Sequence, residues 1–161
     1  MKFLAAVTIA IVLEVCNAHM CMLSPPQRGS MIGINKAGAN DCILTTARCG
    51  GRPAGHPVMG LKIGSNFTVT FQKNLDHYDK ATPGAFHVSI GQERQGTQMK
   101  VLTTVPDAGE PSLTLYSVNV TIPSDLVSRQ IYVLQTSYVT NNKAAPAVFY
   151  QCADVIMEGQ A

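Results

Sequence analysis

Short runs of alternating apolar and polar residues, turn-forming separators between them and four cysteines outside the N-terminal leader predict an all-β chain. The expected architecture is an immunoglobulin/fibronectin-III-like β-sandwich with a long disulfide-pinned N-terminal loop region. The runs are Phe67–Phe71, Ala85–Ile90, Met99–Thr104, Ser112–Ile122, Gln130–Tyr138 and Ala147–Met157, rich in Val, Ile, Thr, Tyr and Phe. Those side chains suit a pleated, half-buried surface. The separators "TPG", "VPDAGEP", "IPSD" and "TNNKAAP" carry turn chemistry and no helical rhythm.

In chain order, residues 1–18 read as a signal peptide. Lys2 supplies the positive start, Phe3 to Leu13 an apolar core, and Cys16-Asn17-Ala18 the small residues before a cut. That core is shorter than the ~20 residues that span a bilayer, and no later segment is apolar enough for a membrane helix. A secreted, extracellular chain starting at His19 is expected, and 19–161 is read as a single domain. Ser24 to Gly60 contains "SPPQRG", "INKAGAND" and "CGGRPAGHP" and has no sustained period, so it reads as loop. In the six runs that follow, apolar residues recur at every second position; between Ser112–Ile122 and Gln130–Tyr138, Ser124 is a candidate cap for a helical turn near Ser124–Val127.

A formal charge of +2 with scattered basic residues argues against nucleic acid. Cys21, Cys42, Cys49 and Cys152 suit two disulfides in an oxidising compartment, with three connectivities open. Cys42 and Cys49 are close neighbours, so Cys152 is expected to pair with one of the three N-terminal cysteines. The sequons Asn66-Phe67-Thr68 and Asn119-Val120-Thr121 make Asn66 and Asn119 candidate glycosylation sites in a secreted chain.

A chain that begins at His19 offers two nitrogens from one residue, the α-amine and the imidazole. The amine's ordinary pKa of about 7.7–8.0 makes losing its proton inexpensive near neutral pH. One further histidine completes a three-nitrogen set suited to Cu(II), with zinc the competitor. His77, just past the run "FTVTF", is the best-placed second ligand, because loops at strand ends present functional groups on a rigid base. His87 is expected to face solvent from a strand, opposite Phe86, Val88 and Ile90, and His56 sits in the loop "AGHPV".

Three stretches resemble the lytic polysaccharide monooxygenases and their copper-binding relatives. They are "HMCMLSPPQRG" with a later "CGG", "FTVTFQKNLDHYDKATPGAFHVSI", and "YVLQTSYVTNNKAAPAVFYQCADVIM". The resemblance implies one copper ion per chain in a histidine brace made by His19 and His77. It implies that Phe149, three before Cys152, lies beside the axial copper position, which makes His19, His77 and Phe149 the catalytic set. Gln135 is a candidate for steering the oxygen species, Tyr78 for stacking on sugar rings, and Asp76 or Asp79 for an added carboxylate ligand. Arg28 and Asp154 are expected to hold the N-terminal loop to the last strand.

The implied function is oxidative cleavage of chitin or a related polysaccharide by a secreted monomer, using an external reductant. The sequence departs from the family in having no tryptophan and only 6% aromatic residues, and it is shorter than most catalytic members. These departures favour a second reading, a non-catalytic copper-binding or copper-delivery protein with a copper donor or acceptor as partner. A third reading is a disulfide-stapled recognition module in which His19 is incidental. No nucleophile elbow or zinc-protease helix is present.

Overall fold

The computed structural model describes residues 19–93 and 98–160; the leader read over 1–18 lies outside them. The described strands are β1 (His19–Ser24), β2 (Met59–Ile63), β3 (Asn66–Leu75), β4 (Ala85–Gly91), β5 (Lys100–Pro106), β6 (Thr114–Thr121), β7 (Ile131–Val139) and β8 (Val148–Gln160). They form a three-stranded sheet ordered β1-β3-β6 and a five-stranded sheet ordered β2-β8-β7-β4-β5. The expected all-β sandwich is what the chain adopts.

Side-chain alternation along the strands builds the core between the sheets. Val69 and Phe71 of β3 face Phe86, Val88 and Ile90 of β4, Leu134 and Tyr138 of β7, and Phe149, Ala153 and Val155 of β8 in one buried cluster. Phe71, Phe86 and Tyr138 link into a chain of ring contacts, with centroids 5.3 and 4.4 Å apart. Such pairs add roughly 0.5–1.5 kcal/mol each beyond their buried area.

The six expected runs correspond to β3 through β8, with β3 extending four residues beyond Phe71 to Leu75. β1 and β2 were not expected. β1 reads "HMCMLS" and its first four residues are buried, so it shows no polar alternation. β2 reads "MGLKI", contains a glycine, and pairs in parallel with β8, Met59 opposite Val155. Around Ser124 the chain makes a plain turn, not the helical one proposed there.

Between β1 and β2 the long loop holds short 3-10 turns at Asn40–Cys42 and Cys49–Gly51. Disulfides Cys21–Cys42 and Cys49–Cys152 fasten it to β1 and β8, so Cys152 does pair with an N-terminal cysteine. Arg28 adds a third fastening. Its guanidinium donates to both oxygens of Asp154 at 2.8 and 2.6 Å, to Glu93, and to the carbonyl of Arg52 at 2.9 Å. Arg28 and Asp154 therefore hold the loop to β8 as anticipated. Carboxylates on two sides keep the guanidinium charged despite its burial.

Candidate metal centre

His19 opens β1 and pairs in register with Leu75, the last residue of β3; His77 follows two residues later. Both histidines are buried, 4% and 6% exposed, at the same end of the three-stranded sheet. Three loops, 76–84, 107–113 and 140–147, meet there. Asn142 Nδ2 donates to the His77 carbonyl at 3.0 Å, Thr82 Oγ1 to the Asn141 carbonyl at 2.7 Å, and the Asp107 amide to the Gly84 carbonyl at 3.0 Å. Gly84 is glycine for a physical reason: a Cβ there would lie 2.2 Å from the Val139 carbonyl oxygen, so only a bare backbone lets these loops touch.

The local chain fixes His77 from several directions. Asp76 receives the Tyr78 amide on its side chain in a tight turn, and its own amide donates to Ser112 Oγ. The Asp76 carboxylate also pairs with the ammonium of Lys73. Lys73 is fully buried and bonds Asp107 Oδ1 at 2.7 Å and the Glu110 carbonyl at 2.9 Å. Tyr138 donates its hydroxyl to the other Asp107 oxygen, and Tyr116 donates to Glu110 at 2.9 Å. Burial, then hydrogen bonds to carboxylates, push both phenols well above their usual range. This ionic plug closes the sandwich beneath the histidine end.

Nε2 of His77 is buried and has no hydrogen-bond partner among the described residues. Leaving such an atom unmet costs about 1–3 kcal/mol, and an imidazole nitrogen is a common metal ligand. Two buried imidazoles at one sheet end are ligand types that suit copper, the cofactor the family resemblance implies. Among the described residues no group of three or more His, Cys, Asp or Glu side chains gathers to hold a metal.

The other candidates divide. Phe149 is fully buried on the core face of β8, its ring 6.4 Å from that of Tyr138. Tyr78 is half-buried, its ring against Gly109 with the Lys73 ammonium 5.8 Å from its centroid. Asp76 is committed to Lys73 and the Tyr78 amide, and Asp79 receives the Ala81 amide at 2.9 Å. Gln135 corrects the expectation for it. It lies on the outer face of β7, its Nε2 3.7 Å from Cys152 Sγ, because strand alternation turns Leu134 and Thr136 to the core instead. His87 is half-buried and bonds Thr104 across β5, and His56 is exposed. Lys73, Asp107 and Asn142 went unnoticed in the sequence; the polar run "QKN" inside a strand was the one available signal.

The two-sheet β-sandwich matches the fold of solved lytic polysaccharide monooxygenases. No family model and no curated protein matches the sequence. Among solved structures, the chain is similar to an AA10 lytic polysaccharide monooxygenase from Streptomyces lividans. The TM-score is 0.53 and the identity 14%, over 86% of this chain and 99% of that one. It is likewise similar to a lytic polysaccharide monooxygenase from Jonesia denitrificans, with TM-score 0.54 and 14% identity, over 87% of this chain and all of that one. At this identity the likeness is one of fold. No helix among the described residues is long and apolar enough to cross a membrane.

Proposed function

We propose that this protein is exported, loses residues 1–18, and binds one copper ion through the α-amine and imidazole of His19 and the imidazole of His77. The observation that carries this reading is the buried, partnerless Nε2 of His77 at the sheet end where β1 begins. Bound there, copper would supply one-electron chemistry toward oxygen or peroxide. Asn142 holds the His77 carbonyl, Ser112 and Asp76 hold the backbone on either side of it, and Lys73 and Asp107 form a fully buried ion pair tied to Tyr138. The activity proposed is oxidative cleavage of chitin or a related polysaccharide, with an external reductant and a monomeric enzyme. Phe149 serves as an apolar wall near the metal.

A second reading, copper binding or delivery without turnover, is favoured by Tyr78. Its ring is spent on Gly109 and Lys73, and the chain has no tryptophan to make a sugar-binding platform in its place.

Intact mass and N-terminal sequencing test whether His19 is the first residue. Cu(II) titration followed by electron paramagnetic resonance then tests the brace. Loss of a ligand in His77→Ala, or one alanine added ahead of His19, should weaken binding beyond the ~10–100-fold typical of outer-shell changes; unchanged affinity rejects the site. Incubating the copper-loaded protein with chitin, reductant and peroxide separates the two readings by the presence or absence of oxidised oligosaccharides.

A further inference from the structure

The two sequons, 53 residues apart in the chain, are cross-strand partners: Asn66 lies opposite Thr121 and Thr68 opposite Asn119, in neighbouring strands β3 and β6. Each sequon's threonine bonds the other's asparagine. Thr68 Oγ1 donates to Asn119 Oδ1 at 2.6 Å, and Thr121 Oγ1 donates to Asn66 Oδ1 at 2.9 Å. All four side chains are exposed on the outer face of the three-stranded sheet. Both bonds end on Oδ1, whereas an N-linked sugar occupies Nδ2. The reciprocal bonds are therefore compatible with a glycan on either asparagine or on both.

The surroundings point the same way. Toward the histidine end, the outer face of β3 is covered, because Asn74 bonds the carbonyls of Ile34 and Lys36 and accepts from the Ala39 amide. Toward the sequon end no such cover is present among the described residues, and the next pair, Thr70 and Ser117, is small and hydroxylated. β6 is also an edge strand, and edges need protection from pairing with other chains. Asparagine is ordinarily depleted in strands, so Asn119 within β6 calls for a reason of its own.

We propose that this half-face carries a pair of N-linked glycans, on Asn66 and Asn119 of the same molecule, locked together by the reciprocal threonine bonds. This deepens the export reading above and rests on it. The sugar donor is a lipid-pyrophosphate-linked oligosaccharide. Nδ2 forms a bond to its anomeric carbon, the carbon–phosphate oxygen bond breaks, the lipid pyrophosphate leaves, and Nδ2 gives up one proton. Transfer precedes folding, while the threonine hydroxyls are still free of their cross-strand partners. The attachment points lie on a diagonal roughly 7–8 Å apart. Asn66 is the far end of a ten-residue strand from Leu75, about 30 Å at ~3.3 Å per residue, and Asn119, opposite Thr68, lies two residues nearer, so both attachment points are remote from the histidine end.

The test is to express the full chain in a eukaryotic secretory host, then record intact mass and glycopeptide maps before and after peptide N-glycosidase, which converts each occupied asparagine to aspartate. The expected result is two glycan increments on one molecule, with one lost in Asn66→Gln, the other in Asn119→Gln, and both kept in Thr68→Ser. The enzyme treatment of wild-type protein gives the same count should a variant fail to fold. A bare chain, or molecules carrying one increment only, overturns the pair. The same spectrum reads the N-terminus independently: a chain beginning at His19 with bare asparagines leaves the copper reading standing, whereas a retained leader with two glycans leaves the pair and removes the brace.

Discussion

Replacing Asp107 with alanine should be among the most damaging single changes in the molecule. The side chains of Asp107 and Lys73 have no solvent exposure, and Asp107 also accepts the hydroxyl of Tyr138. Breaking a buried pair by removing one partner typically costs about 3–5 kcal/mol, because the other charge stays buried. Lys73 keeps Asp76 and the Glu110 carbonyl, so the lower figure applies, about 3 kcal/mol. For a domain of this size, near 4 °C per kcal/mol, the melting temperature should fall by roughly 12 °C. Apolar replacement of the whole set, Lys73→Met with Asp107→Leu and Tyr138→Phe, should recover most of that loss in thermal and denaturant unfolding. The triple variant should nevertheless bind Cu(II) about tenfold more weakly, since Asp76 loses the ammonium that steadies it beside His77. A melting point within 3 °C of wild type for Asp107→Ala would show that the plug is not a structural charge network, and the reasoning fails.

Three further outcomes are expected. In the loop-entropy account, Cys49→Ala with Cys152→Ala opens a link of 103 residues and should cost about 4.7 kcal/mol, against about 3.3 kcal/mol for the Cys21–Cys42 link of 21 residues; denaturant midpoints in the opposite order would contradict it. Stability should decline as pH rises past about 10, because the unfolded chain gives up its tyrosine protons there while burial and carboxylate neighbours make Tyr138 and Tyr116 keep theirs. Tyr138→Phe should flatten that decline, and a profile unchanged by the substitution refutes the assignment. Phe149→Ala should lose about 3–5 kcal/mol from an emptied core position; a much smaller loss in chemical unfolding would mean the ring is not packed as described.

What the sequence disclosed follows from where each strand sits. β4 was legible because Phe86, Val88 and Ile90 are buried while His87 is only half-covered, so alternation survives in the text. β1 was illegible because Met20, Cys21 and Met22 are buried on both faces and are followed closely by Pro25 and Pro26. β3 was cut short at Phe71 because "QKN" looks like loop. Gln72 and Asn74 are buried under residues 34–39, and Lys73 is neutralised by Asp107, a partner 34 positions away. At the candidate site, His77 could be placed at a strand end from its neighbours, but the residues that brace it come from loops that only the folded sheet brings together. Gln135 was recoverable, since the alternation of Leu134 and Thr136 already assigns it to the outer face.

Chain ends usually wander, which makes a first residue a poor place for chemistry that depends on position. Here the third residue of β1, Cys21, is already half of a cystine, and the strand is hydrogen-bonded to β3 from its first position. On the processed-chain reading proposed above, this stitch two residues from His19 would hold the new N-terminus still, at little entropic expense when a metal binds. If the proposed brace forms, reducing Cys21–Cys42 should weaken copper binding without touching either imidazole, which makes ascorbate a better reductant than a thiol for testing that proposal.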